Sequence, residues 1–84
     1  MISNKNFNTN DKVLIVRRIS DIGVKKCYID ILKLVIKENI QYTRNKNGIF
    51  FNVSILSDEV LNMIDTILLY HEKKKEIYIN NLYT

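Results

Sequence analysis

The chain has 84 residues, enough for one small domain, and its 46% of hydrophobic residues argue against an intrinsically disordered chain. Thirteen basic and nine acidic side chains give a net charge of +4, which by itself does not indicate a nucleic-acid partner. Cys27 is the only cysteine, which excludes an intramolecular disulfide and agrees with a reducing compartment.

The first ten residues are mostly polar and lack the apolar core of a signal peptide. The longest uncharged apolar run, residues 13–16, is far too short to span a bilayer. We therefore expect a protein that is neither secreted nor bound to a membrane. Its expected location is the cytoplasm or nucleus of a host cell, or a virus particle. Residues 1–10 are predicted to form a flexible leader.

The first predicted helix follows this leader. Asn10 or Asp11 is expected to cap its first amides, and Gly23 to end it, because glycine readily takes positive φ at a helix terminus. One broad face of this helix is apolar, formed by Val13, Leu14, Ile15, Val16, Ile19 and Ile22.

The second predicted helix covers residues 24–38. Its apolar face is formed by residues that recur at helical spacing, namely Tyr28, Ile31, Leu32, Val35 and Ile36. The opposite side is charged and contains Lys26, Asp30, Lys33 and Lys37. Asn39 is expected to cap the end of the helix, and residues 40–47 to form a loop with Tyr42 pointing inward.

A short β-strand is predicted between the second and third helices. The dipeptide Asn47-Gly48 favours a turn, because both residues tolerate positive φ. The residues after it are β-prone, and no second strand of matching quality is evident, so we expect an unpaired edge. Adjacent residues of a strand point to opposite faces, so at most one of Phe50 and Phe51 should enter the core. The other is a candidate platform for a peptide, or else covers a gap between helices.

The third predicted helix begins near Ser57, with Asp58 and Glu59 placed favourably at its positive end. One side of it is apolar, formed by Val60, Leu61, Ile64, Ile67 and Leu68. Residues 77–84 are β-prone and are expected to form a tail that packs back, reaches a partner or remains disordered. The predicted fold is all-α, a three-helix bundle over residues 11–76 with the short β-strand segment in its second loop.

Residues with catalytic or metal-binding chemistry are scarce. Cys27 and His71 are the only cysteine and histidine, which excludes the usual closed zinc sites. A Cys–His dyad between them lacks a recognisable motif, and a buried thiol with a surface imidazole is the simpler interpretation. With only two glycines there is no glycine-rich phosphate loop. We therefore expect a protein that is not an enzyme and has no cofactor.

Basic side chains suggest one kind of binding surface. They lie along the second helix and the loop after it, and are Lys26, Lys33, Lys37, Arg44 and Lys46. An anionic partner such as nucleic acid could be held there by point charges. The simpler interpretation is a solvated helix face, since Asp30 and Glu38 interrupt it.

A resemblance to a known family adds a second kind of surface. The pattern lies in four segments, namely the middle-helix run of residues 31–36, the polar loop through Asn47-Gly48, the β-prone residues 49–53 and the helix start at residues 56–61. Together these segments resemble the extraterminal (NET) domain of bromodomain and extraterminal proteins. Residues 42–53 are especially similar to the NET-like domains of large DNA viruses. The resemblance covers about two thirds of the chain and consists of hydrophobic spacing; the match of the first helix is weak.

The resemblance implies a non-catalytic module that pairs an extended peptide with the segment between its last two helices. Carried over by position, the pairing strand is Ile49, Phe50, Phe51, Asn52 and Val53. The walls of the adjacent groove are implied to be Leu32, Val35, Ile36, Leu61, Ile64 and Leu68. The family's strand carries alternating acidic residues that meet lysines of the peptide, whereas the strand here is neutral.

This departure favours an apolar or acidic extended segment as the partner. That segment could also be the tail of a second copy, which would give a homo-oligomer. The alternative function is a small basic DNA-binding domain that uses the basic side chains named above.

Overall fold

The computed structural model describes residues 5–46 and 48–83, with side chains described as far as Lys74. Most of the chain is helical, and a two-stranded hairpin lies between the second and third helices. The elements in chain order are α1 (Thr9–Ile22), α2 (Lys25–Lys37), β1 (Tyr42–Asn45), β2 (Gly48–Phe51), a short 3-10 helix (Val53–Ile55) and α3 (Asp58–Tyr83). Three helices with a β segment in the second loop were predicted, and this coarse arrangement is confirmed.

The N-terminal cap of helix α1 lies two or three residues earlier than expected. Its cap is Asn8, whose side chain accepts the amide of Asp11 at 2.8 Å while the Asp11 carboxylate accepts the amide of Asn8 at 3.1 Å. This reciprocal pair satisfies two amides that no helical carbonyl can reach. Capping by Asn10 or Asp11 was therefore wrong. Gly23 ends the helix with φ of 61°, as predicted.

Helix α2 ends in the manner that the sequence indicates. Asn39 adopts a positive φ of 55° just after the last turn. The amides of Asn39 and Ile40 then donate back to the carbonyls of Ile36 and Val35, at 3.2 and 3.0 Å. These bonds use carbonyls that the helix leaves without partners, and they turn the chain into the hairpin.

The hairpin corrects the prediction of a single, unpaired strand. Strand β2 pairs in antiparallel register with β1, and the paired residues run from Tyr42 opposite Phe51 to Arg44 opposite Ile49 and on to the turn. Strand β1 was assigned to the loop because its sequence is polar; turn geometry rather than apolar pattern sets its pairing. Tyr42 is 41% exposed, so the prediction that it points inward was also wrong. The predicted turn residue Asn47 lies outside the described residues.

Strand β2 is shorter than the predicted segment of residues 49–53. It ends at Phe51, and Asn52 begins the 3-10 helix by accepting the amide of Ser54 at 3.0 Å. This local bond competes with continued strand pairing. Val53 consequently enters the core as a 3-10 residue rather than as part of a strand.

Helix α3 supplies the centre of the core. Leu61, Ile64 and Leu68 have no exposed surface and recur at the spacing of one helix face. Helix α3 packs against both α1 and α2, whose fully buried contributions include Ile15 and Val35. Each fully buried aliphatic side chain of this size stabilises the fold by about 1.5–3 kcal/mol relative to an exposed one.

The two ends of the chain differ from the predicted flexible leader and β-prone tail. Phe7 is only 9% exposed and belongs to the core, and its amide donates to Asp58 at 3.0 Å. The amide and carbonyl of Lys5 pair with the side chain of Asn62, at 3.3 and 3.0 Å. At the other end, α3 continues through Tyr83, so the helical backbone replaces the predicted extended tail. Thr84 lies outside the described residues.

A cluster of charges joins α1 to α3. Arg18 donates to both carboxylate oxygens of Glu72 at 2.9 Å and to Asp65 at 2.6 Å. The hydrogen bonds with Glu72, followed by those with Asp65, raise the pKa of Arg18 above its ordinary value. This two-pronged contact is the geometry in which a guanidinium binds carboxylates best.

We predict that Arg18→Ala destabilises the protein by about 1–2 kcal/mol, because two carboxylates of α3 lose their shared cation. Arg18→Lys should restore only part of the loss, since an ammonium cannot make the planar contact. Urea unfolding, monitored by circular dichroism, measures the free energy of unfolding of both variants. Arg17→Ala is the matched control, because Arg17 is exposed and makes no ion pair within the described residues. Equal effects of the two alanine variants would contradict the assigned role.

Candidate functional site

A shallow apolar groove lies between α1, α2 and β2. Its volume is about 700 Å³, within the range typical of ligand sites. Almost all of the side chains that line it are apolar. The lining residues are Val16, Ile19, Ser20, Lys25, Tyr28, Ile29, Ile31, Leu32, Val35, Gly48, Ile49, Phe50, Phe51 and Val53.

The two helices form opposite walls of this groove. Val16 and Ile19 come from α1, and Val16 remains 47% exposed although it is aliphatic. Tyr28 and Leu32 form the ridge of α2 that faces them. The Tyr28 hydroxyl accepts the amide of Gly23 at 3.1 Å, which anchors the ring beside the turn between the two helices.

Strand β2 closes one side of the groove with alternating side chains. Ile49 and Phe51 are half-buried, and Phe51 packs against the core. Phe50 points to the other face and is 53% exposed. The prediction that only one of the two phenylalanines enters the core is confirmed. A large apolar side chain therefore stands uncovered at the edge of an apolar groove.

The outer edge of β2 has no strand beside it in the part of the chain that the structure describes. The sheet contains β1 and β2 alone, so β2 pairs along one edge only. An unpaired edge leaves backbone donors and acceptors available for another strand. The apolar groove and this edge together form a surface that can bind an extended chain segment.

The groove walls carried over from the family resemblance are corrected in part. Leu32 and Val35 line this groove, whereas Ile36 is 54% exposed and lies outside the lining. The remaining predicted wall residues, Leu61, Ile64 and Leu68, are fully buried. They cannot contact a ligand because α1 and α2 cover that face of α3. The broad apolar stripe of α1 was the signal that α1, rather than α3, forms the second wall.

One of the basic side chains predicted for the alternative function is already in an ion pair. Lys26 forms an ion pair with Asp30 at 3.2 Å. The other four form no ion pair within residues 5–46 and 48–74; they are Lys33, Lys37, Arg44 and Lys46. Lys25, which the sequence analysis did not single out, lines the groove itself.

Cys27 and His71 are both buried, and no hydrogen bond between them occurs among the described residues. Burial raises the pKa of the Cys27 thiol, with Asp30 and Glu72 adding to the effect, and so disfavours the nucleophilic thiolate. His71 is 4% exposed, and its Nε2 lies 2.9 Å from Oδ2 of Asp30. The expected surface imidazole was therefore wrong, and this ring instead links α3 to α2.

No group of three or more potential metal ligands occurs among the residues described. Over the same residues, none of the helices combines the length and apolarity needed to cross a membrane. Comparison of the chain with protein-family models, curated proteins and solved structures finds no match.

We predict that Asp30 makes stability dependent on pH. The hydrogen bond with His71, followed by that with Lys26, lowers the pKa of Asp30 in the fold below its ordinary value of 3.8. A lowered pKa stabilises the fold above the unfolded pKa, and this contribution disappears as the pH falls through the folded pKa. Asp30→Asn should therefore be less stable than the natural chain at pH 7. The difference should begin to shrink as the pH approaches about 4, and disappear only when the pH has fallen below the lowered pKa of Asp30 in the fold.

Urea midpoints at several pH values measure this convergence. Asp21→Asn is the control, because Asp21 is exposed and forms no ion pair in the described part of the chain. A difference between Asp30→Asn and the natural chain that stays constant with pH would show that the loss is steric.

Proposed function

We propose that this chain is a non-catalytic protein-interaction module with a NET-like three-helix bundle fold. It binds an extended segment of another protein by adding a strand to β2. The observation that carries the proposal is the outer edge of β2, which has no partner strand among the described residues and belongs to a strand that lines the apolar groove.

Two contributions to affinity follow from this surface. Backbone hydrogen bonds along the β2 edge hold the segment whatever its sequence, while side chains that point into the groove select it. Strand residues alternate between faces, so every second side chain of the added segment enters the groove. The uncovered surfaces of Val16 and Phe50 lose contact with water when the site is filled.

A second copy of the chain presents the same free edge. Pairing of β2 with β2 is therefore the form that self-association through this site takes, and it would compete with a peptide. Concentration-dependent amide shifts along Gly48–Phe51 in the free protein would reveal such a homo-oligomer.

We predict that Val16→Ser and Phe50→Ser each weaken peptide binding roughly tenfold, because each removes apolar surface that the ligand covers. The ligand is a peptide selected on the natural protein from a displayed random library, and its affinity is measured by fluorescence anisotropy. Both residues are exposed, so the variants should retain their thermal stability. Leu69→Ser is the matched control, since Leu69 is equally exposed on α3 and lies outside the groove.

Amide chemical shifts identify the binding mode. Shifts along Gly48–Phe51 and in the facing turns of α1 and α2 are expected. Shifts confined to other surfaces, or unchanged affinity in both serine variants, would contradict strand addition at this site.

The alternative is a small DNA-binding domain. It is favoured by the four basic side chains that have no ion pair in the described region, Lys33, Lys37, Arg44 and Lys46. Affinity for a short DNA duplex should then fall steeply as salt rises, with about one counterion released per phosphate contact. Strand addition to a neutral peptide should depend little on salt. Charge reversal at Lys33 and Lys37 should abolish DNA binding while Phe50→Ser leaves it intact.

A further inference from the structure

The polar side chains that line the groove lie together beside the turn between α1 and α2. Among the described lining residues they are Ser20, near the end of α1, and Lys25 and Tyr28, in the first turn of α2. The Tyr28 hydroxyl accepts the amide of Gly23 in that turn at 3.1 Å. We call this part of the groove the polar end.

The opposite end of the groove is apolar. Val53 lines it, and the carbonyl of the next residue, Ser54, accepts Nζ of Lys12 near the start of α1 at 3.0 Å. Lys12 lies eight helical residues before Ser20, which corresponds to about 12 Å along the helix axis. Lys12 does not line the groove, so within the described lining the positive charge of Lys25 is confined to the polar end.

The polar end can bind an anion. Lys25 is exposed and forms no ion pair within the described residues. The hydroxyl of Ser20 can donate, and so can that of Tyr28, which uses only an oxygen lone pair for the Gly23 amide. None of the described lining residues is acidic, so the lining does not repel a carboxylate. An ammonium group with two hydroxyls beside it is suited to binding a carboxylate.

The remainder of the lining restricts where a ligand can carry charge. Away from the polar end, the lining that the structure describes consists of apolar side chains and Gly48. A charge placed against such a surface loses contact with water and gains no partner, which is unfavourable. The groove therefore favours a ligand that is apolar over most of its length and negative at the polar end.

We propose that the segment bound at β2 is apolar on its groove-facing side except for one aspartate or glutamate, whose carboxylate pairs with Lys25. The hydroxyls of Ser20 and Tyr28 donate to the same carboxylate. This proposal rests on the proposed function and specifies the chemistry of the partner. Because Lys25 is exposed, the ion pair increases affinity by roughly fivefold rather than by orders of magnitude.

Fluorescein-labelled peptides with blocked ends locate the carboxylate without any assumption about the direction of the added strand. Each position of the neutral peptide Ser-Val-Thr-Val-Thr-Val-Ser is replaced in turn by glutamate and, in a matched peptide, by glutamine. Fluorescence anisotropy gives both affinities, and their ratio separates the effect of charge from that of size. One position should favour glutamate about fivefold, whereas the other positions should show no preference for it.

Variants of Lys25 provide the reciprocal test. Lys25→Met removes the ammonium group and retains an apolar stem, so the preference for glutamate at the favoured position should disappear. Lys25→Glu should instead prefer a peptide with lysine at that position. Lys33→Met is the matched control, because Lys33 is an exposed lysine of the same helix, outside the lining of the groove. It should retain the fivefold preference.

The outcomes separate this proposal from the proposed function. The same preference for glutamate at every position would show that net charge attracts the ligand, and would overturn the single acidic residue. An unchanged preference in Lys25→Met would overturn it as well. In either case, amide shifts along Gly48–Phe51 would leave strand addition standing. The absence of shifts there with every peptide at millimolar concentration would overturn strand addition itself.

Discussion

The arrangement of the chain depends on the buried stripe of α3. Leu61, Ile64 and Leu68 are completely covered, and both other helices pack against α3 to cover them. Helices α1 and α2 contact each other much less than either contacts α3. The groove lies between α1, α2 and β2. The hydrophobic contacts that stabilise the fold therefore also influence where an open apolar groove remains.

The hairpin changes the kind of molecule that this groove would favour. Without β2 the groove would be an apolar depression between two helices, suited to many ligands. Strand β2 adds a row of backbone groups along one side, which favours an extended chain over a compact molecule. The polar contacts that fix the helices, such as those of Arg18 and Asn62, lie away from the groove lining. These polar contacts and the groove lining thus use different side chains, whereas the lining shares Ile31, Val35 and Val53 with the hydrophobic core.

The sequence predicted the helices well because their apolar residues recur at helical spacing and glycine or asparagine marks their ends. It did not reveal β1, because a polar strand in a hairpin carries no apolar alternation. It also placed the groove between α2 and α3, where the most regular stripes lie. Regular stripes, however, are buried against each other, and the exposed apolar surface of the groove comes from additional apolar residues outside those stripes. Val16, outside the narrow buried face of α1, is such a residue.

The described parts of the predicted leader and tail, residues 5–10 and 77–83, differ from expectation for a related reason; residues 1–4 and Thr84 lie outside the described residues. Local β propensity at residues 77–83 did not outweigh the continuation of a helix already formed. At the other end, Phe7 was overlooked because one apolar residue in a polar run gives no periodic signal. Its role depends on α3, which lies more than fifty residues later in the sequence.

This separation has a consequence for synthesis on the ribosome. The first helix and the segment before it acquire their partners only when α3 has been made, because Phe7, Arg18 and Lys5 all contact residues of α3. At roughly 5–20 residues per second, α1 waits for several seconds with its apolar face uncovered. During that interval the nascent chain is exposed to chaperones and to neighbouring nascent chains, and only the last third of the sequence ends that exposure.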